Sequence, residues 1–158
     1  LISPGKYIST ENIIRPFNIY GPGMQETDYR VIPNFGFRLK RNEDLQVYGS
    51  GNQTRTYCYV TDALSGILKV IVNGSSGNAY NVGNPLDEIS ALRLAEKFTK
   101  IVRKSSNIKV IDHPESYPAD EPDRRCPDIS KLAELGYAPV VTLDDGLERF
   151  WNYINVND

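Results

Sequence analysis

Arg15-Pro16-Phe17-Asn18-Ile19-Tyr20-Gly21-Pro22-Gly23 is the stretch from which the fold has to be read. It follows Asn12-Ile13-Ile14, a short β-branched run with strand chemistry. Pro16, Gly21, Pro22 and Gly23 then break the extended backbone. An apolar strand that hands polar side chains to a loop at its carboxyl end is where open α/β sheets place their ligands. The chain opens on Leu1-Ile2-Ser3-Pro4-Gly5-Lys6-Tyr7, with nothing before the strand to pair with it. That opening predicts a part of a larger protein.

Working outward, residues 12–17 are expected as a strand and 18–31 as a loop. A helix is expected from Pro33, with Ile32, Phe35 or Gly36, and Leu39 inward and basic residues near its end. Gln46 to Tyr48 reads as a strand, Gly49 to Asn52 as a turn with hairpin chemistry, and Thr56 to Val60 as the next strand. Asp62 is expected to cap a helix that carries Leu64, Ile67, Leu68 and Ile71 on one face and stops at Asn73-Gly74. Ala79 to Val82 and Ile108 to Ile111 are strands on either side of a helix capped by Ser90, with Leu94, Phe98, Ile101 and Val102 inward. An irregular segment, 112–128, leads to a short helix from Ser130 to Gly136. A last helix, capped by Asp144 or Asp145, turns Leu147, Phe150 or Trp151, and Ile154 inward. The pattern is mixed α/β with few consecutive β-α-β units, which suits a substrate-binding lobe better than a complete doubly wound domain.

The chain has 158 residues, enough for one domain with a core of its own. A net charge of −2 argues against a general nucleic-acid surface. No apolar run is long enough to span a membrane, and Cys58 and Cys126 read as reduced cysteines of a cytoplasmic protein. With His113 the only histidine, neither a histidine metal site nor a Ser-His-Asp triad is supported, and no nucleophile–base pair stands out.

Two segments carry candidate ligand chemistry. Gly49-Ser50-Gly51-Asn52-Gln53-Thr54-Arg55 is either a hairpin turn with an exposed arginine or a phosphate cradle in which Arg55 offers a planar charged fork. It is not a Walker loop, because no Gly-Lys-Ser/Thr follows. Asp120-Glu121-Pro122-Asp123-Arg124-Arg125 is either a self-neutralising surface loop or the source of a second arginine, Arg125, for the same pyrophosphate. Tyr48 covers a base or closes the turn. Asn18 donates to a phosphate or ties down its own loop. The acid pairs Asp87-Glu88 and Asp144-Asp145 read as helix N-terminal acids.

Taken in order, these segments resemble the extended short-chain dehydrogenase/reductase family, the NAD-dependent nucleotide-sugar epimerases, dehydratases and decarboxylases. Residues 15–23 are similar to its R-P-F-N-x-Y-G-P-G motif, and Val47 to Arg55 to its V-Y-G-x-G-x-Q-x-R turn. Tyr59-Val60-Thr61-Asp62 resembles Y-V-x-D, Tyr80-Asn81-Val82-Gly83 resembles Y-N-x-G, and Arg124 to Lys131 resembles R-R-x-P-D-x-S-K. Leu135 to Pro139 and Leu143 to Leu147 resemble the family's L-G-Y-x-P and L-x-x-G-L. The closest flavour is UDP-glucuronate decarboxylase or dTDP-glucose 4,6-dehydratase.

The resemblance implies a nucleotide-diphosphate sugar as ligand and NAD as cofactor. Asn18, Arg55 and Arg125 would meet the diphosphate or its ribose. Val47 and Tyr48 would line the base pocket, with help from Val31 and Ile32, and Pro16 and Phe17 would lie near the nicotinamide. Asp62 would be structural. The family's G-x-x-G-x-x-G fingerprint and Y-x-x-x-K pair are absent from the sequence; Tyr7 has Glu11, not lysine, four places on. The resulting expectation is the C-terminal, substrate-binding lobe of an extended Rossmann-type enzyme. Residues 1–158 would form a single portion, with 1–20 and about 78–84 at the edge of a missing NAD-binding domain. On this reading the NAD site lies mostly outside the chain, and the isolated chain has no activity and no catalytic residue. A second copy would cover the exposed strand. The alternative is a non-catalytic nucleotide-sugar-binding or interaction module.

Overall fold

A computed structural model describes residues 11–113 and 121–156. Tyr7, Asp120, residues 1–10 of the segment 1–20 and the middle of the irregular segment 112–128 lie outside these residues.

The opening motif forms β1 (Ile13–Pro16), which runs parallel to β6 (Ala79–Val82) in the register Ile13 opposite Ala79 and Pro16 opposite Val82. Asn18 then enters the left-handed region at φ 43°. Asparagine tolerates this conformation because its short amide bonds locally. The kink starts β2 (Ile19–Tyr20), a strand inside the expected loop, which runs parallel to β5 (Cys58–Tyr59). From β5 the chain passes through α2 (Val60–Asn73) into β6, which lies beside β1. This parallel α/β arrangement corrects the expectation of a substrate lobe standing apart from a missing Rossmann sheet: Rossmann-like parallel structure is present in the chain itself.

The remaining elements form a second layer. They are α1 (Val31–Lys40), β3 (Leu45–Tyr48), β4 (Thr54–Arg55), β7 (Ile89–Ser90), α3 (Ala91–Val102), β8 (Ile108–Ile111), β9 (Arg124–Arg125) and α5 (Leu143–Val156), while α4 (Ser130–Ala133) packs on α2 and β6. Here β3 pairs in parallel with β8. β4 lies between antiparallel β7 and parallel β9. Gly49–Asn52 is therefore not a hairpin, because the strands on either side of it pair elsewhere.

Two apolar clusters hold these layers. The larger packs Phe35 and Leu39 of α1, Leu94 and Phe98 of α3, and Leu147 and Phe150 of α5 against β3. The smaller joins α2 and β6 to Leu132 and Tyr137. The faces of α3 and α5 follow the spacing of their apolar residues, and the Ser90 side chain accepts the Arg93 N–H at 3.2 Å, as an N-cap should.

Helix α2 departs from its sequence pattern. Its buried face is Ala63, Gly66 and Val70, while Leu64, Leu68 and Ile71 are more than half exposed. The cause is close approach. A Cβ on Gly66 would lie 3.1 Å from Val82 and 3.2 Å from Leu132 and Tyr137, so the helix presents its small residues to the sheet. Asp62 is not the cap. Tyr59 holds that position, and the buried Asp62 carboxylate accepts the N–H groups of Val140 and Val141 at 3.1 and 2.9 Å. Likewise Thr142, not Asp144 or Asp145, caps α5 by accepting the Asp145 N–H. Glu88 pairs with Arg124 and Thr54 and does not serve a helix end.

Candidate functional site

A cleft of about 690 Å³ opens between α1, the end of β3 and the β4–β9 pair. Asn18, Val31, Val47, Tyr48, Arg55 and Arg125 all line it, although they come from separate stretches of the chain. Its floor is apolar, with Val47 and Ile32 buried, and its charged end is built from the paired strands.

Arg55 and Arg125 sit opposite each other in the β4–β9 register. Residues opposite in a parallel pair project on the same side of the sheet. Arg55 is the more enclosed, with its side chain 11% exposed against 41% for Arg125. Its Nη1 donates to the carbonyls of Thr54 (2.8 Å) and Asp123 (3.1 Å), which fixes the guanidinium plane. Its Nη2 donates to one oxygen of Glu121 at 2.9 Å, and Arg125 Nη2 donates to the other at 3.2 Å. Two guanidiniums converging on one carboxylate, one of them held by backbone carbonyls, form an anion site of the kind phosphates favour.

Asn18 Nδ2 donates to the Thr56 carbonyl at 2.8 Å. An amide carries two N–H groups, so this tether orients the side chain and leaves a second donor for a ligand. At the other end of the cleft the Tyr48 ring stacks on His113, with centroids 6.2 Å apart and planes 25° from parallel. Gly49 (φ 63°) makes room for that stack, since a Cβ there would meet His113 Nε2 at 2.3 Å. Gln53 Nε2 donates to the Tyr48 carbonyl at 3.1 Å and closes the turn. Glu121, Gln53 and His113 escaped sequence reasoning. Glu121 lay in a segment that reads as a neutralised loop, and His113 acquires its partner only when β3 meets β8.

Pro16 and Phe17 are not walls of this cleft. They end β1, where the Phe17 N–H bonds the Val82 carbonyl at 2.9 Å. The exposed Pro16 and half-buried Phe17 make an apolar ledge at the carboxyl end of a parallel pair. Burial pushes the phenols of Tyr20, Tyr57 and Tyr137 well above their ordinary value, so none of these three offers a base at neutral pH. Among the described residues no group of His, Cys, Asp and Glu is placed to hold a metal ion. Among them too, no helix is long and apolar enough to cross a membrane.

Residues 8–83 match the NAD dependent epimerase/dehydratase family. This stretch covers β1 through β6 and most of the cleft. UDP-glucuronic acid decarboxylase 3 of Arabidopsis thaliana is 40% identical over 136 residues, which is 85% of this chain and 38% of that protein. UDP-glucuronic acid 4-epimerase from Bacillus cereus, solved with UDP-glucuronic acid and NAD, superposes on 91% of this chain with a TM-score of 0.80 and 29% identity. The dTDP-glucose 4,6-dehydratase DesIV from Streptomyces venezuelae, solved with NAD, covers 92% with a TM-score of 0.81 and 28% identity. The chain spans 45% and 44% of those two solved chains. The relatives that this chain resembles are, by name, enzymes that modify nucleotide sugars, and the two solved ones carry NAD.

These matches correct further expectations. The family match, residues 8–83, lies inside this chain, which corrects the expectation of a C-terminal portion whose Rossmann-type core is missing. Relatives solved with NAD superpose on nine-tenths of this chain, which corrects the expectation that the cofactor region lies mostly outside it.

Proposed function

We propose that the cleft holds the nucleoside diphosphate of a nucleotide sugar. Arg55, Arg125 and Asn18 would lie on the diphosphate, Val31, Val47 and Tyr48 around the base, and Pro16 and Phe17 beside the nicotinamide of NAD. The observation that carries this reading is the Arg55–Arg125 pair, two converging forks at one end of a cleft with an apolar floor. NAD, when bound, supplies the hydride acceptor for oxidation at C4 of the sugar, the step shared by decarboxylation, 4,6-dehydration and epimerisation. The residues of this chain bind and orient the substrate. UDP-glucuronate is the first sugar nucleotide to test, because the decarboxylases are 37–40% identical to this chain. A cytoplasmic setting goes with this reading, given that Cys58 and Cys126 are both free.

By itself the chain is proposed to bind without turnover. No Tyr-x-x-x-Lys pair occurs in the sequence, and the buried phenols stay protonated. That observation also favours a second reading, a nucleotide-sugar-binding module with no part in a reaction. Calorimetry with UDP and UDP-glucuronate tests the cleft. Binding that Arg55→Ala removes supports it, and equal binding by wild type and variant refutes it. Bound UDP that changes the affinity for NAD favours the enzyme reading over the module.

A further inference from the structure

The anion site is not bare. Glu121 sits between the two arginines with one carboxylate oxygen on each, in the position where two converging guanidiniums would hold a phosphate. Its carboxylate is a planar, two-oxygen anion and satisfies the same donors that a diphosphate would use. Arg55 does not depend on it for its orientation, because Nη1 is held by the carbonyls of Thr54 and Asp123. Glu121 lies on the cleft wall with its side chain 22% exposed, close enough to solvent to turn outward.

Resting on the cleft reading above, we propose that Glu121 is an internal stand-in for the ligand's diphosphate, and that binding displaces it. The carboxylate keeps two like charges together in the empty cleft and sets a threshold that only an anion with more charge and more acceptor oxygens crosses. Glu121 is thus a specificity-determining residue of the site, acting as competitor and not as ligand.

Calorimetry with UDP and with inorganic pyrophosphate, on wild type, Glu121→Gln and Arg55→Ala, decides the matter. Displacement predicts that Glu121→Gln binds both ligands about tenfold more tightly, the equivalent of one charge-assisted hydrogen bond no longer competed for. Glu121→Asp, which keeps the charge but is too short to span both guanidiniums, should fall between. It serves as the test if the glutamine variant does not fold. Unchanged or weaker binding of either ligand overturns the proposal; weaker UDP with unchanged pyrophosphate would make Glu121 a contact to the nucleoside. If Arg55→Ala binds pyrophosphate as wild type does, the cleft reading fails and displacement with it. If Arg55→Ala loses binding and Glu121→Gln gains none, displacement alone is overturned.

Discussion

Arg55 of β4 stands directly opposite Arg125 of β9, two residues far apart in sequence brought to one edge of one cleft. Two guanidiniums at that separation repel unless an anion lies between them. The pairing of the strands therefore creates a demand for negative charge, which Glu121 meets within the chain.

Arg55 and Arg125 should differ in how they tolerate lysine. Arg55 uses both terminal nitrogens on separate acceptors, a geometry an ammonium cannot copy. Arg55→Lys is expected to weaken UDP binding by about 1.5–3 kcal/mol, close to the effect of alanine. Arg125→Lys, at a more exposed position, should cost under about 1 kcal/mol. Calorimetry of the two variants under one salt concentration checks the order.

Asp62 is expected to matter for stability and not for binding. Its carboxylate serves the backbone of Val140 and Val141, on the approach to α5. Asp62→Ala strands the buried Val141 N–H and the half-buried Val140 N–H and should cost about 1–3 kcal/mol, whereas Asp62→Asn, which keeps an acceptor, should cost about half as much. Urea titrations measure both, and an Asp62→Ala protein as stable as wild type would refute the assignment.

Phe98 is fully buried where α3 meets α5, edge-on to Trp151. Phe98→Ala should destabilise by about 3–5 kcal/mol. It should also shift tryptophan fluorescence, which reports on the loss of that contact.

Gly49→Ala tests the Tyr48–His113 stack. The substitution strains a left-handed backbone and drives a methyl group into His113. Nucleotide affinity should fall while pyrophosphate affinity stays, since the change lies at the base end of the cleft. Equal losses for both ligands would count against Tyr48 as a base platform.

Cys58 should make the fold sensitive to alkali. Burial pushes its thiol up from 9.0 to about 11. A raised folded-state value means that the contribution is fully present below pH 9 and is lost as pH rises toward 11, because the unfolded chain then releases a proton that the folded chain retains. The loss amounts to about 2–3 kcal/mol. Denaturant midpoints at pH 8 and 10.5 should lie closer together in a Cys58→Ala variant than in wild type, the gap that remains coming from the buried phenols of Tyr20, Tyr57 and Tyr137.

Much of the site was legible in the residues themselves. Asn18, Tyr48, Arg55 and Arg125 stood out as polar, aromatic or charged groups on loops and strand ends, each with a bland alternative, and Val47 entered only through the family resemblance. The amphipathic spacing of α3 and α5 predicted the faces they bury, because a helix that packs by large residues shows its face in its period. α2 does not pack that way. It approaches β6 through Ala63 and Gly66, and its larger residues look like a core face while facing out. Nor can local sequence say that β4 finds β9 and not β3, or that His113 lies on Tyr48 and Glu121 between the arginines. Such pairings depend on loop closures over tens of residues, whose favourable energy appears only once the layers are assembled. The chain's residue types determined which ligand chemistry it can offer, and tertiary packing decided which of those residues meet.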